Sequence, residues 1–197
     1  MSKIKRKHED EGQSKPYKKK HWSLGLLDSM TDPDLIVEED DLVTVIKDKY
    51  PKAKFHYLVL PKENITNLKR LNTSNIELLK HIHKCGEKII KKAAGGRKIR
   101  LGYHAVASMS RLHLHAITQD FDSSCLKTKK HWNSFTTKFF VDSEVIIKQL
   151  EENGKVDLAY LNPSELLKAE LKCHVCDMKQ GNMPKLKAHI KQHVQDA

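Results

Sequence analysis

Short apolar runs rich in β-branched residues occupy the middle of the chain and predict β-strands. The runs cover residues 36–37, 42–46, 55–60, 99–106 and 112–118, and the first two flank the acidic turn at 38–41. Turn signals and Pro61 separate the runs, and the first pair has the pattern of a hairpin.

One long helix is predicted between these strands. Apolar residues recur at three- and four-residue spacing from Ile76 to Ile90, after helix-capping residues at 72–74 and before Gly95-Gly96. This spacing gives an amphipathic helix of about five turns. Strands on both sides of a single helix predict an α+β domain, with a mostly antiparallel sheet and the helix packed on one face.

Length and charge divide the chain into three predicted parts. The 197 residues and 39% hydrophobic content suit one catalytic-size domain with a small appendage. A helix is predicted near 141–152, and Asn162-Pro163 suggests a boundary region before the last thirty residues. We predict a basic arm at 1–20, a main domain at 21–150, and a linker with a small module at 151–197.

The formal net charge of +11 indicates a polyanionic partner, most simply nucleic acid. Residues 1–20 carry eight Lys or Arg and three Asp or Glu with almost no apolar content, which predicts a disordered arm. Its clusters Lys5-Arg6-Lys7 and Lys18-Lys19-Lys20 suit a nuclear import signal or a nucleic-acid arm, so we expect a nuclear protein. A solvated tail is the alternative. No apolar run is long enough to span a membrane, so no membrane partner is expected.

The run from Ser110 to Ile117 carries the candidate chemistry of the main domain. On a strand, Arg111, His113 and His115 would share one face while the intervening leucines enter the core. His104 on the preceding strand can join them. Imidazole can act as a nucleophile or a proton donor near neutral pH, and neighbouring cations suit a phosphate. A metal site or a polar strand face without a function are the alternatives.

The C-terminal module carries four residues with the spacing of a zinc finger. Cys173-x2-Cys176 is followed after twelve residues by His189-x3-His193. Two thiolates on a turn and two imidazoles one helical turn apart supply four tetrahedral ligands, which predicts structural Zn²⁺ in a ββα-type finger. Lysines on the same helix suit contact with a phosphate backbone better than base reading.

The ordered motifs of the main domain resemble the histidine triad (HIT) superfamily of nucleotidyl hydrolases and transferases. The matching segments are 45–51, 56–61 and the strand that ends in His113-Leu114-His115-Ala116-Ile117. Segments 21–23, 102–104, 108–110, 119–123 and 129–135 resemble its DNA-deadenylase branch, as does the combination with a C-terminal finger. The resemblance implies a HIT-like antiparallel sheet with packed helices.

The resemblance also implies a function in DNA strand-break repair. His113 would attack the α-phosphorus of an adenylate on a DNA 5′ end, as left by abortive ligation, and would form a covalent AMP-histidine. Water would then release AMP. His115 would orient the nucleophile and bind the phosphate, and His104 would stand near the leaving group.

Further residues match family positions near AMP or DNA. Asp48 corresponds to the acid that holds the ribose, Lys130 to a lysine that counters phosphate charge, and Trp22 to an aromatic that stacks on the base end. The other matching positions are Ser29, Lys47, Lys49, Tyr50, Ser108 and Met109.

Two departures from the family pattern affect these expectations. Arg111 stands where the family has its first histidine, and it could instead favour an anionic transition state. Nothing in the sequence corresponds to an N-terminal phosphopeptide-binding FHA domain, so recruitment by DNA repair scaffold proteins is not implied. Two other functions remain open: a general hydrolase of small adenylates, or a nucleic-acid binding module without catalysis.

Overall fold

A six-stranded antiparallel sheet forms the centre of the molecule. The computed structural model describes residues 25–194, so the predicted basic arm (1–20) and Trp22 lie outside the described residues. The strands are β1 (Ile36–Glu39), β2 (Val43–Lys47), β3 (His56–Pro61), β4 (Ile99–His104), β5 (Leu114–Thr118) and β6 (Phe140–Asp142). Their order in the sheet is β1-β2-β3-β5-β4-β6, and every neighbouring pair is antiparallel. The predicted α+β class and the hairpin of the first two strands are confirmed.

Helix α2 (Ile76–Ala94) packs across one face of this sheet, as the apolar spacing predicts. Its apolar side is buried against β3 and β5, with Leu79 and Ile82 fully enclosed. Gly86 permits this approach, since a Cβ there would lie 2.7 Å from a methyl of Leu114. The helix ends at Gly95, whose φ of 56° is favourable for glycine.

The remaining helices are shorter than α2. They are α1 (Gly25–Ser29), α3 (Lys129–Thr136), α4 (Ser143–Asn153), α5 (Pro163–Lys168) and α6 (Met183–Val194). Single turns of 3₁₀ helix lie at Leu68–Arg70 and Thr73–Asn75. Among residues 25–194, none of the helices has the length and apolar character that a membrane crossing requires.

The sixth strand differs from the prediction. The sequence pattern predicts helix from Val141, but Phe140–Asp142 pair with β4 as a strand and the helix begins at Ser143. Tertiary contact decides this segment: Gly102 of β4 approaches so closely that a Cβ would lie 2.4 Å from the carbonyl oxygen of Val141. This contact joins residues far apart in the sequence, so the local pattern of apolar residues could not predict it.

The C-terminal module packs directly on the main domain and shares a core with it. Leu171, Cys173 and Leu186 are buried in one cluster with Phe121 and Trp132 of the main domain. The predicted hairpin of the module is a single bridge between Lys172 and Lys179, followed by α6.

Polar contacts strengthen this junction. The indole N–H of Trp132 donates to the carbonyl of Lys172 at 3.0 Å. The buried Asn133 amide donates to the carbonyls of Leu167 and Ala169 at 3.1 and 2.8 Å. The Lys187 ammonium donates to the carbonyl of Ser123 at 2.6 Å, so this lysine stabilises the junction.

Candidate active site

One ring nitrogen of His113 is hydrogen-bonded to the backbone, and the other is free of a protein hydrogen bond among the described residues. It is 8% exposed, and its Nδ1 lies 2.8 Å from the carbonyl oxygen of Arg111. A carbonyl can only accept, so Nδ1 carries the proton and Nε2 keeps its lone pair. This is the protonation state that a histidine nucleophile needs.

His115 is the central member of a cluster of four imidazoles. Its ring centroid lies 4.5 Å from that of His104, 4.8 Å from that of His113 and 5.2 Å from that of His56. His113 directly precedes β5 and His115 lies within it, while His104 and His56 lie on the neighbouring strands β4 and β3. The predicted grouping of His104, His113 and His115 is therefore present in the fold.

A chain of hydrogen bonds determines where the proton of His115 lies. The backbone N–H of Lys52 donates to Nδ1 of His56 at 3.2 Å. Neutral His56 therefore carries its proton on Nε2, which lies 3.0 Å from Nδ1 of His115 and donates to it. His115 then carries its proton on Nε2, where it can donate to a bound anion.

An apolar floor keeps these imidazoles neutral. Phe135 contacts the rings of His56, His104 and His115 edge-on. Burial, reinforced by the neighbouring histidines, lowers the pKa of His56 to about 4 and that of His104 to about 3. Burial likewise lowers the pKa of His113 and of His115.

Two buried nitrogens of the cluster have no protein partner. Among the described residues, Nε2 of His104 and Nε2 of His115 are enclosed and lack a hydrogen bond. His104 and His113 line a cavity of about 260 Å³ beside the 67–69 and 105–107 segments. A buried donor without a partner costs stability, so these nitrogens point to a ligand with acceptor oxygens.

Asp48 contacts the cluster from its edge. Its Oδ1 accepts from the backbone N–H of Tyr50 at 2.7 Å, and its Oδ2 lies 3.3 Å from Nδ1 of His56. Ligand atoms of Asp48, His56 and His115 lie within 4.8 Å of one another, as a metal site would require. The facing nitrogens of the two histidines already pair with each other, which favours the hydrogen-bonded arrangement.

Other predicted binding residues lie on α1 and α3, at and just after the end of β2, and in the loop after β4. Ser29 ends α1 and donates to the Gly25 carbonyl, and Met109 packs against the apolar cluster that contains Leu26 of that helix. Lys130 is exposed on α3. The remaining predicted residues are exposed: Lys47, Lys49 and Tyr50 at the end of β2, and Ser108 in the loop after β4.

The predicted position of Arg111 on the histidine face is wrong. Its φ is 99°, so the chain turns there and β5 begins only at Leu114. The guanidinium donates to the carbonyls of Pro61 and Lys62 and to the side chain of Asn64. Arg111 therefore anchors the segment after β3 and does not line the imidazole cluster.

His56 and Phe135 are contacts of the cluster that the site prediction omits. In the antiparallel register of β3 and β5, His56 lies opposite Ile117 and on the same face as His115. The alternation of β3 together with this pairing would have identified His56. No local signal identifies Phe135, because α3 reaches the cluster through the tertiary fold.

The four predicted ligands of the C-terminal module lie together. Their ligand atoms are all within 4.8 Å of one another, and Nε2 of His189 is 3.2 Å from both Sγ of Cys176 and Nε2 of His193. A tetrahedral zinc site separates such atoms by about 3.3–3.8 Å. Cys173, Cys176, His189 and His193 are therefore positioned to bind a metal, and their donor types suit zinc.

Comparison with known proteins agrees with this geometry. Residues 21–131 match the family model described as "Scavenger mRNA decapping enzyme C-term binding", which has the HIT-like fold. Residues 136–196 match the "C2HE / C2H2 / C2HC zinc-binding finger". Within the solved structures, the chain is 26% identical to the aprataxin orthologue Hnt3 in complex with DNA, with a TM-score of 0.62 over 89% of this chain and 96% of that one.

Two relatives are named aprataxin. The protein from Danio rerio is 53% identical over 88% of this chain and 54% of its own length. The protein from Ciona intestinalis is 56% identical over 87% of this chain and 46% of its own length. The chain thus spans about half the length of these relatives. From the fold, the imidazole cluster and these matches, the chain belongs to the histidine triad superfamily and is a homologue of the aprataxins.

Proposed function

We propose that the chain hydrolyses adenylates on DNA 5′ ends through a covalent AMP-histidine. In the first step Nε2 of His113 attacks the α-phosphorus, and the bond from phosphorus to the pyrophosphate bridging oxygen breaks. The DNA leaves with a 5′-phosphate. Positive charge develops on the imidazole, whose Nδ1–H donates to the Arg111 carbonyl.

In the second step water attacks the same phosphorus and the phosphorus–nitrogen bond breaks. AMP leaves, and His113 regains its lone pair on Nε2 after the water has lost a proton to the medium. His115 donates from Nε2 to a phosphate oxygen in both steps. His104 lies beside it and is the candidate donor to the leaving group.

One observation carries this proposal: His113 keeps an unprotonated Nε2 beside a buried His115 Nε2 that has no protein partner. A nucleophile and an anion donor thereby lie side by side, with ring centroids 4.8 Å apart. The net charge of +11 and the similarity to a DNA-bound aprataxin orthologue support DNA as the leaving group.

Further parts of the proposal concern the surroundings of the site. Zn²⁺ bound by the C-terminal module would stabilise the fold at the junction, and exposed lysines such as Lys130 would contact phosphates. The residues at the end of β2, with Ser29, Ser108 and Met109, would surround AMP. A nuclear location, inferred from the basic clusters at 5–7 and 18–20, agrees with this function.

The test is turnover of a nicked duplex with a 5′-adenylate, compared with a small adenylate of similar phosphate chemistry. We expect AMP release from the nick by the native chain, loss of release in His113→Ala, and full release in the control variant His83→Ala. His83 is a half-buried histidine of α2 that bonds Ser143, away from the cluster. Preference for the small adenylate would contradict DNA as the substrate, and AMP release by His113→Ala would contradict the mechanism.

A further inference from the structure

A second group of metal-binding side chains lies outside both sites described above. Asp40 belongs to the turn between β1 and β2, and His81 and Cys85 lie on α2. Oδ2 of Asp40 is 2.7 Å from Nε2 of His81 and 4.0 Å from Sγ of Cys85, and the sulfur is 3.5 Å from Nε2 of His81. A carboxylate, an imidazole and a thiol thus converge on one point.

The backbone prepares this arrangement. Oδ1 of Asp40 accepts from the backbone N–H groups of Leu42 and Val43, both at 2.8 Å, which leaves Oδ2 directed at the helix. His81 and Cys85 are four residues apart, so they lie on the same face of α2. The two helical side chains are half-buried, which limits the number of rotamers they can adopt.

The donor set and the distances suit a zinc-class divalent ion. Zinc accepts thiolate, imidazole and carboxylate ligands, and a tetrahedral site separates these atoms by about 3.3–3.6 Å. Each of the three observed separations differs from this range by less than about 1 Å, which small side-chain rotations supply. A water molecule can complete the fourth position, because Asp40 is exposed.

The charge balance also favours a cation. A thiolate and a carboxylate neutralise a divalent ion, and the end of β1 and the turn after it carry the acidic run Glu38-Glu39-Asp40-Asp41. Of these, Glu38 pairs with Lys88 at 2.5 Å and Glu39 with Lys62 at 3.6 Å. An ordinary Asp–His hydrogen bond explains Asp40 and His81, and Cys85 also packs against the core beneath α2. A metal site accounts in addition for the approach of the sulfur to both of the other donor atoms.

We infer that Asp40, His81 and Cys85 form a second metal site for a zinc-class divalent ion, separate from the C-terminal module. The ion connects the β1–β2 turn to α2. Because the site exists only when these two elements are packed together, metal bound there stabilises the main domain.

The first experiment counts metal in the full chain. The native chain, dialysed against buffered Zn²⁺, is compared with Cys85→Ala and with the matched control Cys125→Ala, which removes a half-buried cysteine outside the group. We expect one zinc ion more per chain in the native protein and in Cys125→Ala than in Cys85→Ala. Equal zinc content in the native chain and Cys85→Ala would overturn the proposal.

The second experiment identifies the ligands. Co²⁺ added to the chain with zinc already in its C-terminal module should give a thiolate-to-cobalt absorption band. Cys85→Ala should remove the band, and Asp40→Asn should weaken binding at least about tenfold, since loss of even outer metal contacts has that effect. The amide of Asp40→Asn retains an acceptor for the turn. A band of unchanged strength in Cys85→Ala would overturn the proposal.

A third measurement separates the site from the C-terminal module. With zinc already bound in that module, added Zn²⁺ should raise the thermal midpoint of the native chain by a few degrees and leave that of Cys85→Ala unchanged. An equal rise in both would assign the stabilisation to other ligands and would contradict the site.

Discussion

Nε2 of His56 lies 3.0 Å from Nδ1 of His115, and this pair determines which nitrogen of His115 carries the proton. The direction of donation follows from a backbone group: the N–H of Lys52 occupies Nδ1 of His56. In our proposal His56 does not contact the substrate, but it determines the tautomer of His115, which does. His56 is a positioning residue for His115.

Replacing His56 tests this control. His56→Ala should lower adenylate release about 10–100-fold, because His115 loses the partner that fixes its ring and its tautomer. His56→Gln should lose less, since the amide can still donate to Nδ1 of His115. The measurement is turnover of the adenylated nick, with circular dichroism to verify the fold. Equal losses in the two variants would contradict the hydrogen-bond argument.

Arg111 should have two opposite effects on stability. Its guanidinium hydrogen bonds stabilise the fold, while its positive φ is unfavourable for a residue with a Cβ. Arg111→Ala should lower the free energy of unfolding by about 1–3 kcal/mol, because the carbonyls of Pro61 and Lys62 lose a charged donor. Arg111→Gly should be less destabilising by about 1 kcal/mol, since glycine accepts a φ of 99° without strain. Denaturant unfolding of both variants measures the difference. A glycine variant less stable than the alanine variant would contradict this account.

The buried histidines predict a loss of stability in acid. In the folded chain the pKa is about 4 for His56 and about 3 for His104, against 6.5 for an ordinary histidine. Below pH 6.5 the unfolded chain therefore binds more protons than the folded chain, and acid favours unfolding. Between pH 7 and 5 each residue should lower the free energy of unfolding by about 2 kcal/mol.

The measurement is denaturant unfolding of the native chain and of His104→Gln at several pH values. The variant should take up about one proton fewer on unfolding, so its curve should be shallower between pH 6.5 and 5. Release of metal by acid affects both proteins and cancels in the comparison. Parallel curves would show that His104 is not buried in its neutral form.

Removal of the C-terminal metal should weaken the main domain. Cys173 is fully buried in the same cluster as Trp132, so its coordination and the packing of α3 depend on each other. Cys173→Ser, or chelation in a Cys85→Ala background that lacks the second site, should lower the free energy of unfolding by about 3 kcal/mol or more. The chain has two tryptophans, and in a Trp22→Phe background Trp132 alone reports on the junction. Unchanged Trp132 emission and an unchanged unfolding midpoint after chelation would contradict the shared core.

The sequence predicts those parts of the fold that depend on local periodicity and ligand spacing. The 3.6-residue period of α2 and the alternation of the main strands are visible in short windows, and the expected elements are present. The four ligands of the C-terminal module have a spacing that the structure brings together. His104, His113 and His115 also converge as the alternation predicts.

The features that sequence reasoning did not reach depend on contacts between distant segments. β6 exists because Gly102 admits Val141 beside it, and His56 faces His115 because of the pairing between β3 and β5. The side chain of Arg111 does not share a face with His113 and His115, because its positive φ turns the chain. Positive φ is uncommon for residues other than glycine, so the sequence gives no signal for it. Lys187 is one of the helix lysines that the sequence suits to a phosphate backbone, but in the fold it donates to the main-domain carbonyl of Ser123.

The central claim is that Nε2 of His113 carries the nucleotide. The most direct measurement is peptide mass spectrometry of His115→Ala, quenched at short times with adenylated nicked DNA, to locate AMP on the chain. Our account predicts an acid-labile AMP on the peptide that contains His113, absent when His113 is also replaced by alanine. AMP release without any adduct, or an adduct on another residue, would contradict it.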